Sequence, residues 1–185
     1  MIKMHLPLDE AIVICPVDPY VDNDYFEALE ALEKRAQESS ANLVLMGIEP
    51  TYPSAKYGYI IPKSRENISP VSMFKEKPTE EVAKTYITQG ALWNGGVFAL
   101  RLGYVLERAH QLMIFTDYQD LFDKYETLEK ISFDYAVVEH EENIEVMRFL
   151  ECGRIWEHGI LLQRRWTAIM LARHFLVRHV RMCMS

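Results

Sequence analysis

The residues whose types and spacing best suit chemistry lie between Phe74 and Phe98. Phe74-Lys75-Glu76-Lys77-Pro78 ends an apolar run with a carboxylate and an ammonium side by side, stopped by a proline. A carboxylate accepts hydrogen bonds from hydroxyls, and a lysine ammonium holds a phosphate as a point charge. Further on, Trp93-Asn94-Gly95-Gly96-Val97-Phe98 offers an amide beside two glycines, where backbone can approach a ligand closely. Taken together, Glu76, Lys77 and Asn94 suit a phosphorylated sugar. Each piece alone is common: Glu-Lys-Pro occurs in solvated turns, and Trp-Asn-Gly-Gly could be a plain turn between strands.

Three further positions carry weaker signals. Asp18 follows the apolar run Glu10–Pro16, at the carboxyl end of a predicted strand, where ligands of open α/β sheets gather. It could equally start a turn before Pro19. Gly58, in Tyr57-Gly58-Tyr59-Ile60, is either a close-approach glycine with tyrosine walls or a bulge in an aromatic strand. Asp134 stands in Ile131-Ser-Phe-Asp-Tyr-Ala-Val-Val-Glu139, where Ser132 is suited to cap a short helix.

In this order, the blocks resemble the sugar-1-phosphate nucleotidyltransferases, most closely the mannose-1-phosphate guanylyltransferases that make GDP-mannose. The resemblance covers roughly residues 9 to 149. It implies that Glu76 grips hexose hydroxyls, Lys77 holds the sugar phosphate, and Asn94 is a second hexose ligand. By the same resemblance Gly58 lets main chain pack against the sugar, Asp134 lies near it, and Asp18 helps bind a divalent metal, Mg2+. The implied partners are mannose 1-phosphate and GTP. The implied fold is α/β: a Rossmann-like mixed sheet with flanking helices, of which this chain would be the sugar-phosphate-binding part. Gly95-Gly96 varies mildly from the family pattern, which usually has serine or glycine after its Asn-Xaa step.

The elements that must position these residues are readable from periodicity. Glu10–Pro16 reads as a buried parallel strand and Asn42–Ile48 as another. Between them, a helix from about Asp24 to Gln37, capped by Asp22 or Asn23, puts Phe26, Leu29, Leu32 and Ala36 on one face. Val71–Lys75 is a strand. Thr79 caps a helix over Glu80–Gln89 that Gly90 stops, and Ala91–Leu100 returns as a strand. Leu102–Met113 is a helix expected to turn Val105, Leu106, Ala109 and Leu112 inward, with His110 at the surface. Thr116–Asp123 is a helical connector whose Asp117 and Asp120 form a solvated face, and Ile144–Phe149 is a final strand.

With 185 residues, 49% of them hydrophobic, the chain can build one domain with a real core. A net charge of −7 argues against nonspecific nucleic-acid binding. Cys15, Cys152 and Cys183 are an odd, widely spaced set without metal-ligand spacing, which suits reduced thiols in the cytoplasm. No apolar run reaches the roughly 20 residues that span a bilayer, so no membrane partner is expected.

The charge is unevenly placed. Of 20 basic and 27 acidic residues, 6 and 2 lie in residues 151–185. That sign change divides the chain into a sugar-phosphate-binding part, 1–150, and a basic helical tail, 151–185. The family's glycine-rich nucleotide loop and its second metal carboxylate, in a block like Trp-Lys-Asp-Leu-Gly-Thr-Trp-Asn, have no counterpart here. Codons compatible with Glu151–Ile160, read two nucleotides later, encode that block in order. A frameshift near Leu150 or Glu151 is therefore the expectation, and with the second carboxylate and the nucleotide loop missing the chain is expected to have no turnover of its own. The alternative is a genuine amphipathic tail, with the whole acting as a non-enzymatic sugar-phosphate-binding or regulatory module whose tail docks on a partner. A truncated sheet would also favour self-association.

Overall fold

The computed structural model describes residues 6–16, 21 and 23–149. Residues 151–185, with the frameshift and the basic tail, and Asp18 lie outside the described residues. Six strands form one mixed sheet: β1 (Ala11–Ile14), β2 (Leu43–Ile48), β3 (Tyr59–Pro62), β4 (Ile68–Lys75), β5 (Leu92–Arg101) and β6 (Ile144–Phe149). Their order is β1-β5-β2-β6-β4-β3. Strand β3 also pairs with the start of β5, Tyr59 opposite Trp93, so that β5, β2, β6, β4 and β3 close into a ring. Strand β4 makes this possible by changing partners midway: Ile68–Pro70 pair with β6, and Val71–Lys75 pair with β3.

Alternation along the central strands separates two cores. Leu43 and Leu45 of β2, with Phe98 and Leu100 of β5, face one side; Val44, Met46, Val97 and Ala99 face the other. All are buried, as expected of strands covered on both faces. Helix α1 (Asn23–Glu38) covers the second face with Leu29, Leu32 and Ala36, three positions of its predicted apolar stripe. It is pinned at its last turn. The Arg35 guanidinium donates twice to Glu145 of β6, at 2.7 Å each, and Ser39 donates to the same carboxylate.

The first face is covered by α3 (Leu102–Leu112) and by α5 (Phe133–Ala136), whose chain runs on into a 3-10 turn at Val138–His140. Helix α2 (Glu80–Thr88), capped by the Thr79 hydroxyl, packs Ala83 on β3. Helix α4 (Tyr118–Lys124) is capped by Asp117 and buries no residue, so its carboxylates do form a solvated face.

Two expectations change. Strand β1 is antiparallel to β5, not parallel to its neighbour. A continuous apolar run reports burial on both faces, and says nothing of the direction of the adjacent strand. In α3, Tyr104 is the buried residue and Leu112 is 60% exposed. The helix meets the core through Leu102, Tyr104 and Val105 in its first turns, and its last turn lies beyond that contact.

Candidate functional site

The loop before β3, the end of β4, the start of β5 and the first turn of α5 converge. The Asn94 amide N–H of the main chain donates to the Gly58 carbonyl at 2.8 Å, continuing the β3–β5 pairing outward. Across from it, Glu76 directly follows β4 and is only 6% exposed. A Cβ on Gly58 would stand 2.5 Å from Glu76 Oε2, 3.0 Å from the Phe74 ring and 3.2 Å from Asn94 Cβ. Gly58 is therefore present because Glu76 and Asn94 close over it. The bulge reading of Gly58 does not hold: it precedes β3, whose Tyr59–Ile61 pair in regular register with Lys75–Met73, and the register shift in β3 comes later, between Ile61 and Pro62.

The bulge nearest Asn94 is in β5. Register jumps from Leu45 opposite Phe98 to Gly47 opposite Asn94, leaving residues of β5 unmatched. Gly96 sits there at φ +68, a left-handed conformation that favours glycine, and its N–H donates to Asn94 Oδ1 at 3.1 Å. The other end of the same amide donates from Nδ2 to Asp134 Oδ1 at 2.8 Å. Both ends of Asn94 are thus held, and its orientation is unambiguous.

Lys77 follows Glu76 and is the one non-glycine residue with positive φ, 44°, among the described residues. Its ammonium pairs with the Glu76 carboxylate and lies 5.6 Å from the centre of the Tyr135 ring. Burial works against the charged lysine, but the hydrogen bond and charge of Glu76, with Tyr135 and Asp134 nearby, outweigh it and hold its pKa above the ordinary value. The pKa of Asp134 is raised too, which for a carboxyl disfavours the charged form. Burial and the neighbouring Glu76 charge push it up to about 6, against the bond from Asn94 and the charge of Lys77.

Five of the six residues singled out in the sequence, Gly58, Glu76, Lys77, Asn94 and Asp134, therefore form one cluster. Asp18 is the sixth and is not among the described residues. Two carboxylates, one oriented amide and one ammonium around a glycine can read several hydroxyls and hold one anion. Among the described residues no group of three or more His, Cys, Asp or Glu side chains is placed to hold a metal ion. Two neighbours escaped the sequence reading: Tyr135, under the lysine, and Glu139, which accepts the Glu76 main-chain N–H at 2.8 Å. Both stand in the Ile131–Glu139 block already recognised as a unit, and that block was the available signal.

Residues 2–134 match the nucleotidyl transferase family. The chain belongs to that family. Among similar proteins, the alginate biosynthesis protein AlgA of Pseudomonas aeruginosa is 35% identical over 105 residues, which is 54% of this chain and 22% of AlgA. The mannose-1-phosphate guanylyltransferase ManC of Salmonella typhimurium is 31% identical over 114 residues, 57% of this chain and 23% of that one. A structure from Thermus thermophilus described as a mannose-1-phosphate geranyltransferase superposes with a TM-score of 0.63 at 33% identity, over 75% of this chain and 44% of that one. A Helicobacter pylori structure described as a mannose-6-phosphate isomerase, 21% identical with a TM-score of 0.58, shares the fold. The chain thus spans under a quarter of these two curated relatives and under half of the Thermus structure. The nucleotidyltransferase resemblance and the mixed α/β fold expected from the sequence are borne out.

Proposed function

We propose that the cluster at Gly58, Glu76, Lys77, Asn94 and Asp134 is the sugar-phosphate site of a nucleotidyl transfer, with mannose 1-phosphate as the substrate bound there. In that reaction a phosphate oxygen of the sugar phosphate attacks the α-phosphorus of GTP. The bond to the β-phosphate breaks, giving GDP-mannose and pyrophosphate. The cluster's part is to bind and orient: Glu76 and Asn94 take hexose hydroxyls, and Lys77 exchanges Glu76 for the sugar phosphate. The observation that carries the reading is the closure of Glu76 and Asn94 over Gly58. It leaves a buried carboxylate, an oriented amide and an ammonium within reach of one small ligand. Likeness to mannose-1-phosphate guanylyltransferases supports the choice of sugar and nucleotide.

A divalent metal, Mg2+, belongs to this reading through Asp18. The described residues supply no donor cluster for it. Titrating the isotopically labelled full chain with mannose 1-phosphate, and separately with mannose, tests the proposal. Saturable shifts of the Glu76, Lys77 and Asn94 amides with the phosphate ester, weaker by tenfold or more without the phosphate, are expected. Shifts confined to other surfaces would overturn it.

A further inference from the structure

The Ile131–Glu139 block does more than bring Asp134 to Asn94. Its far end reaches the other arm of the site. Val137 and Val138 are 6% and 0% exposed and anchor the 3-10 turn in the core, with Phe133 and Ala136 packed beside them. That anchorage sets the Glu139 carboxylate at the end of β4. There one oxygen, Oε1, accepts both the Glu76 main-chain N–H, at 2.8 Å, and the Lys75 ammonium, at 3.1 Å. Burial alone would raise the pKa of this carboxyl, but the Glu76 N–H and the Lys75 charge hold it below the ordinary value.

The backbone at this point needs holding. Lys77 adopts a left-handed φ that disfavours side chains, and it does so immediately before Pro78, whose ring restricts the preceding residue further. Such a conformation persists only where the surroundings over-determine it. On one side of the turn is the ion pair of Glu76 with Lys77, above Tyr135. On the other is the bond from Glu76 N–H to Glu139. If that bond is lost, the strand end is free to relax and the Glu76 and Lys77 side chains turn together out of register with Asn94.

We infer that Glu139 is a positioning residue for the sugar-phosphate site: it acts through the Glu76 main chain, and its acceptor oxygen rather than its charge is what the site requires. This rests on the sugar-phosphate reading of Glu76 and Lys77. The role belongs to geometry, so the isosteric amide should replace the carboxylate, whereas an apolar side chain should not.

The experiment compares the full-length parent chain with Glu139→Leu, Glu139→Gln and Lys75→Met. Each is titrated with mannose 1-phosphate while the Glu76 and Asn94 amides are followed by NMR and Tm is measured in parallel. Glu139→Leu should weaken binding about tenfold, the fold-change of one lost hydrogen bond to a buried donor. It should also speed hydrogen exchange of the Glu76 amide. Glu139→Gln and Lys75→Met should stay within about threefold of the parent in affinity, since each keeps the acceptor for Glu76 N–H. A Glu139→Leu chain that binds as the parent does would overturn the inference alone. So would equal losses in the Leu and Gln variants, or a loss in all three variants that tracks Tm. A parent chain that does not bind mannose 1-phosphate would overturn the underlying reading, and this inference with it.

Discussion

At the scale of single residues, the site is a set of mutually exclusive volumes and charges. Gly58 shares its space with Glu76, Phe74 and Asn94, so Gly58→Ala must displace a buried carboxylate or a strand residue. Overpacking of this kind costs about 1–3 kcal/mol, and a lowered denaturation midpoint with loss of mannose 1-phosphate binding is the expected result. Lys77 separates fold from function more cleanly. Lys77→Gly removes the ammonium and relieves a left-handed backbone that costs a side-chain-bearing residue about 1 kcal/mol. Any Lys77 variant leaves the buried Glu76 carboxylate without its ion-pair partner, so the comparison is with Lys77→Met. Both should lose phosphate binding, and Lys77→Gly should have the higher Tm. A lower Tm for the glycine variant would contradict the assignment of strain to this position.

Asp134 gives a pH signature at the same scale. Its pKa is raised from 3.8 to about 6 in the folded protein, so the native state holds this proton more tightly than the unfolded chain. By linkage its cost is absent below about pH 4, grows as pH rises towards 6, and is complete above that, on the order of 2–3 kcal/mol. Asp134→Asn cannot ionise, and its amide oxygen can still accept from Asn94. Stability of the parent relative to this variant should therefore fall between pH 4.5 and 7.5, measured by denaturant midpoints. Parallel pH profiles for the two proteins would refute the buried-charge account.

At the scale of elements, one buried-face ion pair holds α1 to the sheet. The two bonds from Arg35, with that from Ser39, hold the Glu145 carboxyl below the usual range, burial opposing them. The sign is opposite to that of Asp134: this stabilisation is present above the unfolded value near 4.5 and is lost as pH falls through the depressed native value. Arg35→Met leaves Glu145 with Ser39 alone and should cost about 1–3 kcal/mol at pH 7, less at pH 4. Thermal unfolding at the two pH values measures the difference. The site is remote from this pair, so ligand affinity should be unchanged.

At the scale of the whole molecule, the closed ring of β5, β2, β6, β4 and β3 and the segment between α3 and α5 are unequal in stability. The ring strands carry most of the large fully buried residues, among them Leu43, Leu45, Tyr59, Ile60, Leu92 and Val146. Helix α4 and the turn after it, Tyr125–Thr127, bury none, and Tyr118, Phe122 and Tyr125 are each more than 60% exposed. Few buried contacts mean low-energy local opening. Amides of Tyr118–Thr127 should exchange well before those of Leu43–Met46 and Val97–Leu100, as hydrogen-exchange mass spectrometry would read. Equal protection of both regions would show that the segment is held by more than these contacts.

Local signals determined much of this protein. Apolar periodicity located α1, β2 and β6, the Thr79 and Ser132 caps marked where α2 and α5 begin, and the Glu-Lys-Pro and Asn-Gly-Gly blocks named the residues that later met. Those features depend on neighbours a few positions apart, which a sequence displays directly. Tertiary structure alone decided that β1 runs antiparallel to β5, because strand direction is set by the partner and not by the strand's own composition. It also decided that Asn94 is held by Asp134, and Glu76 by Glu139. Both bonds join residues distant in sequence. They exist because the β3–β5 pairing closes the sheet and the buried Val137–Val138 pair anchors the 3-10 turn against it.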